Sequence, residues 1–367
     1  MRTKLRTGAL LLGIAAIAGT ARAQPAAPPP IPRPTFANVA YAPPEPADGK
    51  GHLLDLYLPA KGPAPAPLVI WTGGSAWLAD TGKAPAWWIA AKLNPLGYAV
   101  AGVSIRSSRQ ARFPAQVHDI KAAIRWLRAN AARLNLDPAR IAIMGDSSGG
   151  WASMMAAVTG DVPALEGTVG TRGVSSAVQA AVAFYPPTDF LTMDRWAPKP
   201  CTPGLSLAEA GRTGGFCHDN PDSPESSLIG CTIQTCAAKV EAADPARYVS
   251  RADPPILIFH GQSDPIVPHQ QGERLYQALN KICHDAIFVS LPRGLHGPAS
   301  AFLSDDRLRE AATIRSTKAQ GCVSTPPEPY RPDWTTILDF LQTALRLPAR
   351  PAPAARPPAR QSRPASD

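Results

Sequence analysis

The chain has 367 residues, 45% hydrophobic and 18% charged, which excludes a disordered or fibrous protein and provides for one sizeable core. The formal charge of +9 is unevenly spread. Arg2, Lys4, Arg6 and Arg22 stand in the first 23 residues and Arg350, Arg356, Arg360 and Arg363 in the tail, so the middle is near neutral and no basic nucleic-acid-binding face is expected.

The N-terminus reads as a secretory signal: a basic start, the apolar run "GALLLGIAAIAG", and "ARA" as a small-x-small cleavage site ending at Ala23. An N-terminal membrane anchor is the alternative, but the run is too short to span a bilayer comfortably, so no stable membrane insertion is expected. The expected location is periplasmic or secreted. Residues 24–48 are rich in proline and read as a linker; 347–367 ("LPARPAPAARPPARQSRPASD") read as a disordered tail. The catalytic domain is expected over 49–346.

In chain order, the apolar runs "HLLDLYL" (52–58), "PLVIWT" (67–72), "YAVAGVS" (98–104), "IAIMG" (141–145), "QAAVAFY" (179–185), "ILIFH" (256–260) and "AIFVSL" (286–291) read as strands. Most are continuous rather than alternating, as in a parallel sheet covered on both faces. Helical patterns lie between them. After Pro114, "AQVHDIKAAIRWLRANAARLN" carries Ile120, Ile124, Leu127, Ala131 and Leu134 on one stripe. "SGGWASMMAAVTG" can start a helix after "IAIMG". "DWTTILDFLQTALRL" is the last, with Asp333 as cap and Ile337, Phe340, Leu341 and Leu345 facing in. The fold class is therefore α/β, a mostly parallel sheet with helices on both faces. Residues 186–250 break the rhythm and read as a cap or insert.

All six cysteines follow residue 200. They admit 15 pairings. Local closure favours Cys201–Cys217, Cys231–Cys236 and Cys283–Cys322, as expected of an exported chain. A zinc site built from Cys217, Cys231 and Cys236 is the alternative, disfavoured by irregular spacing.

The chemistry starts from "IAIMGDSSGGW" (141–151). A nucleophile elbow needs glycine two residues before and after the serine, because neighbouring backbone packs there. Ser147 has Gly145 and Gly149 at those offsets; Ser148 has Asp146 and fails. The order nucleophile, acid, histidine then selects Asp264, on the loop after "ILIFH", and His296, in the glycine-flanked loop "PRGLHGP" after "AIFVSL". His260 reads as structural and His269 and His284 as surface residues. "TGGSAW" follows a strand, so its backbone N–H groups, with that of Ser148, are candidates for an oxyanion hole. Ser148 is thus needed mainly for its main chain. Arg106 and Asp119 can form an internal ion pair of structural role.

With these residues the chain resembles the α/β-hydrolase superfamily. More closely it is similar to bacterial esterases grouped with hormone-sensitive lipases and with feruloyl/acetylxylan esterases of the BD-FAE type. The resemblance covers about residues 50–345. It rests on "TGGSAW", "RFPAQVHDIKAAIRWLRANAARLNLDPARIAIMGDSSGGWAS", "SPESSLIG", "YVSRADPPILIFHGQSDPIVP" and "GLHG". It implies Ser147 as nucleophile, Asp264 as acid, His296 as base, and Gly74, Ser75 and Ser148 as backbone donors. The chain departs from the family at Thr72, which stands where histidine is usual, and at Ser75-Ala76, which add a residue before Trp77.

These assignments imply a serine esterase needing no metal or organic cofactor. The expected partner is a small or carbohydrate-linked ester, with feruloyl or acetyl esters of plant carbohydrate and short-chain carboxylic esters both open. Trp77 and Trp88 are candidate contacts for a sugar or phenolic ring, with ordinary core packing as the alternative. A serine peptidase of the prolyl-oligopeptidase type shares the residue order but brings a large N-terminal propeller. A non-catalytic hydrolase-fold scaffold would lack part of the triad.

Overall fold

A computed structural model describes residues 31–160 and 162–347. The expected signal segment, the first part of the expected linker and the tail beyond residue 347 lie outside the described residues.

The strands are β1 (Phe36–Ala40), β2 (Leu53–Tyr57), β3 (Ala66–Thr72), β4 (Ala99–Val103), β5 (Leu136–Asp146), β6 (Ala180–Phe184), β7 (Ile256–Gly261), β8 (Ala286–Leu291), β9 (Thr313–Lys318), β10 (Val323–Ser324) and β11 (Glu328–Pro329). They form one sheet in the order β1-β2-β4-β3-β5-β6-β7-β8-β9-β10, with β11 also on β9. Pairing from β4 through β8 is parallel, while β1, β2 and β9–β11 are antiparallel additions at the edges.

The parallel strands are buried on both faces, which is why they read as unbroken apolar runs. Along β3, Leu68 and Ile70 enter one core and Val69 and Trp71 the other. The first core is closed by α2 (Ala115–Ala129), α3 (Ser148–Val158) and α4 (His269–Lys281), and the second by α1 (Ala86–Leu93) and α5 (Trp334–Ala344). The α2 stripe of Ile120, Ile124 and Leu127 is fully buried, each side chain worth about 1.5–3 kcal/mol of apolar transfer. The expected Arg106–Asp119 pair is present and buried at 2.8 Å, tying the segment after β4 to α2. Asp333 caps α5 through a reciprocal side-chain box with Thr336.

Three expectations are corrected. Part of the expected linker is strand: β1 pairs with β2, and buried Tyr41 donates its hydroxyl to the carbonyls of Gly51 and Ser104. An exposed edge strand is held by backbone pairing and carries no apolar period to read. The helix expected to run through residue 135 breaks at Asn130, resumes over Ala131–Leu134 and stops at Asn135 in the left-handed conformation (φ 53°). Strand β5 begins at Leu136 rather than at residue 141, so "DPAR" (137–140) is already strand.

Candidate active site

The sheet reverses its order at β3, which lies between β4 and β5. Crevices at the C-terminal edge of such a reversal are where open α/β sheets present chemistry. Ser147 follows β5 there, at the start of α3, with φ 52° and ψ −127°. That conformation turns the chain sharply and lifts the side chain off the sheet. Both flanking glycines are required by packing. A Cβ on Gly145 would stand 2.3 Å from the Gly149 carbonyl oxygen, and one on Gly149 would stand 2.1 Å from the carbonyl oxygen of Thr72. The spacing that separates Ser147 from Ser148 is thus a backbone-contact requirement.

His296 Nε2 lies 3.0 Å from Ser147 Oγ, and its Nδ1 lies 2.8 Å from Asp264 Oδ2. The three expected residues, from loops 149 and 32 positions apart, form one hydrogen-bonded chain. Asp264 is 1% exposed, and its Oδ1 accepts the N–H groups of Ile266 and Val267, both at 2.9 Å. Burial disfavours the His296 imidazolium, but the charge and hydrogen bond of Asp264, with the charge of Asp146, outweigh it and hold the ring's pKa above its ordinary value.

Sequence reasoning missed the group that braces this chain. Asp146 Oδ1 accepts the Gly74 N–H at 2.7 Å, and Oδ2 accepts the Tyr185 hydroxyl at 3.1 Å. The Tyr185 ring lies against His296, with centroids 4.7 Å apart. Burial raises the Asp146 pKa against these two hydrogen bonds. Asp146 could have been noticed in "GDSSGG"; Tyr185, beyond the end of β6, carries no comparable signal.

The oxyanion-hole expectation is corrected in part. The loop after β3 does stand over the nucleophile, since a Cβ on Gly74 would lie 2.6 Å from Ser147 Cβ. But the Gly74 N–H is directed at Asp146, and the Ser75 N–H donates to Ser148 Oγ at 2.9 Å, with the Trp77 N–H at 3.4 Å from the same oxygen. Ser148 therefore uses its side chain as well as its main chain. Its own N–H opens α3, where a helix supplies no intrahelical acceptor.

The two candidate ring contacts are also corrected. Trp77 is 3% exposed and packs edge-on against Trp151 and Phe190. Trp88, on α1 and partly buried, makes edge contacts with Trp71 and Trp334 against the second core. Both indoles serve packing, and Trp77 anchors the loop over Ser147 in a left-handed conformation (φ 57°). His284 is buried rather than on the surface, and His269 is partly buried with Nε2 at 2.9 Å from Ser290 Oγ. His260 is buried and bonds the Val267 carbonyl, a structural contact as expected.

The cysteines pair as local closure favours: Cys201–Cys217, Cys231–Cys236 and Cys283–Cys322. The first two lie in the 186–250 insert, whose Met193, Ala210 and Phe216 pack on Ile266 and Val267 beside Asp264. Among the described residues there is no cluster of side chains suited to a metal ion, and no helix is long and apolar enough to cross a membrane.

Comparison with known proteins agrees with this geometry. The BD-FAE family matches residues 54–279. The structure of a truncated carbohydrate esterase from gut microbiota is 35% identical, with a TM-score of 0.62, covering 72% of this chain and 89% of that one. A bifunctional GH43-CE protein of Bacteroides eggerthii is 34% identical, with a TM-score of 0.61, covering 72% of this chain and 35% of its own. Among curated proteins, esterase LipC of Mycobacterium tuberculosis is 27% identical over 255 residues, 68% of this chain and 58% of its own length. The chain spans 49% to 61% of the length of that protein and two further esterases of the same organism. Elbow, residue order, sheet order and family match coincide, and the chain belongs to the BD-FAE family of the α/β-hydrolase superfamily.

Proposed function

We propose that the chain is a serine esterase acting through Ser147, His296 and Asp264. The observation that carries this reading is the hydrogen-bonded chain from Ser147 Oγ through His296 to buried Asp264, set at a nucleophile elbow. His296 Nε2 takes the Ser147 proton as Oγ attacks the ester carbonyl, and Asp264 holds the ring's tautomer and the imidazolium that forms. The Ser148 N–H stabilises the oxyanion on one side, and the loop carrying Gly74 and Ser75 forms the opposite wall. His296 then protonates the departing alcohol, and water, deprotonated by the same ring, releases the acid and restores Ser147.

For substrate, we favour acetyl or feruloyl esters on carbohydrate. The names of the two similar structures, a carbohydrate esterase and a GH43-CE protein, support this. A broad short-chain carboxylesterase is the second reading, supported by the mycobacterial esterases. We also propose that the protein is exported to the periplasm or beyond; three disulfides support an oxidising compartment.

The test is hydrolysis of p-nitrophenyl esters of increasing chain length, methyl ferulate and acetylated xylan, with Ser147→Ala in parallel. Hydrolysis that survives in purified Ser147→Ala would refute the assignment. A preference for acetylated xylan or methyl ferulate over the p-nitrophenyl series would select the carbohydrate reading.

A further inference from the structure

The turn that carries Asp264 is held from two sides by two histidines. Ile266 and Val267 give their N–H groups to the Asp264 carboxylate, and their carbonyls each accept from an imidazole. Val267 is bonded by His260 Nε2 at 2.9 Å, from β7. Ile266 is bonded by His218 Nε2 at 3.0 Å, from the insert. His218 is 2% exposed and directly follows Cys217, which is bonded to Cys201. Its Nδ1 lies 3.0 Å from Glu225 Oε1, on the short helix Pro224–Ile229. A carbonyl accepts, and so does an ionised carboxylate, so the arrangement suits a ring that donates from both nitrogens.

We propose that His218 is a positioning residue for the triad: through its two ring N–H groups the insert holds the turn that presents Asp264 to His296. This rests on the serine-esterase reading of Ser147. Around His218 stand Glu225 on its helix, Asp194 on the short helix Met193–Trp196 (accepting the His218 main-chain N–H at 2.7 Å), the adjacent Asp219, and His296 across the acid turn. Burial pulls the His218 pKa down, but the charge and hydrogen bond of Glu225, with Asp194 and the Ile266 carbonyl, leave it raised. A positive charge on His218 acts on His296 in the direction opposite to Asp264, favouring its neutral, proton-accepting form. His218 therefore has two separable effects, one through a bond and one through a charge.

The test compares the full-length chain with His218→Gln and His218→Leu, measuring kcat and KM for p-nitrophenyl acetate across pH and counting active sites with a fluorophosphonate. Glutamine can keep a donor toward Ile266 but carries no charge; leucine has neither. For His218→Gln, kcat on the plateau should stay within about threefold while the acid limb of kcat/KM moves to higher pH. His218→Leu should show the same displacement and lose about tenfold or more in kcat per active site, with KM little changed. Acid limbs superimposable on wild type, with losses that only follow the number of active sites, would overturn the proposal. Imidazole nitrogen NMR of the wild type decides independently of any variant's folding: both His218 nitrogens should be protonated at neutral pH, and a neutral ring there would overturn it. Ser147→Ala run alongside keeps the two questions apart, since its activity reports on the esterase reading and not on His218.

Discussion

His260 and His218 bond neighbouring carbonyls of one turn, yet one belongs to the sheet and the other to the insert, and their surroundings are opposite. His260 lies near the end of a fully buried strand, and burial drops its pKa from an ordinary 6.5 to about 4, so it works as a neutral donor. His218 stands among Glu225, Asp194 and Asp219, whose charges and hydrogen bonds raise its pKa. The sheet places side chains by apolar burial and strand register. The insert adds to its apolar packing disulfides, side-chain caps at Asp189, Ser206, Ser223 and Asp244, and the His218–Glu225 contact. The lesson is that the sheet supplies the elbow and one hold on the acid, while the insert supplies a second hold sensitive to pH and to cross-linking.

The comparison is sharpened or broken by graded changes. Ser147→Ala, which removes the group both regions serve, should lower kcat by about 10⁵-fold or more in the p-nitrophenyl ester assay. Asp264→Asn should lower kcat by about 10³- to 10⁴-fold with KM largely kept, because the turn survives but the imidazole loses its orienting carboxylate. A smaller response would mean that holding this turn matters little. Replacing Cys201 and Cys217 by serine should cost about 3 kcal/mol in denaturant unfolding for a loop of 16 residues, with reduced but measurable activity. A loss as complete as that of Ser147→Ala would erase the distinction between sheet and insert.

The two histidines also predict opposite pH responses. Between pH 6.5 and about 4 the unfolded chain protonates His260 while the folded chain does not, so its contribution to stability falls as pH drops through that window. His218, with a raised folded pKa, contributes fully below its unfolded value and loses that contribution as pH rises through the folded one. Unfolding free energies measured against pH should show wild type losing stability relative to His260→Asn as pH falls from 6.5 toward about 4, whereas the advantage of wild type over His218→Gln should be largest at low pH and close as pH rises through the folded pKa of His218. The smallest effect is expected from Ser148→Ala. It removes the acceptor of the Ser75 and Trp77 N–H groups but keeps the Ser148 N–H, so kcat should fall by less than about tenfold.

Much of this site is legible in the amino-acid sequence alone. Ser147 is singled out by glycine spacing because close backbone packing excludes any side chain at 145 and 149, a local rule written into five residues. Asp264 and His296 follow from strand order, since each lies on the loop after a strand recognisable as an unbroken apolar run. Edge strands β1 and β9–β11 are not recognisable, because half-exposed or exposed strands are held by main-chain bonds that leave little trace in side-chain pattern. The direction of the loop N–H groups was equally out of reach: Gly74 and Ser75 meet Asp146 and Ser148 more than seventy residues away.

By itself, then, the sequence determined the fold class, the identity of the elbow serine and the order of the three linked side chains, while the cysteine pairing that local closure favoured was left for the structure to decide. These depend on short-range spacing and on the periodicity of burial. Only the tertiary structure decided which side chains brace the site: Tyr185 beside His296, Ser148 Oγ under the loop, and His218 on the acid turn. Each joins segments with no regular relation in sequence. The path of the insert and the packing of strand ends determine which donor finds which acceptor.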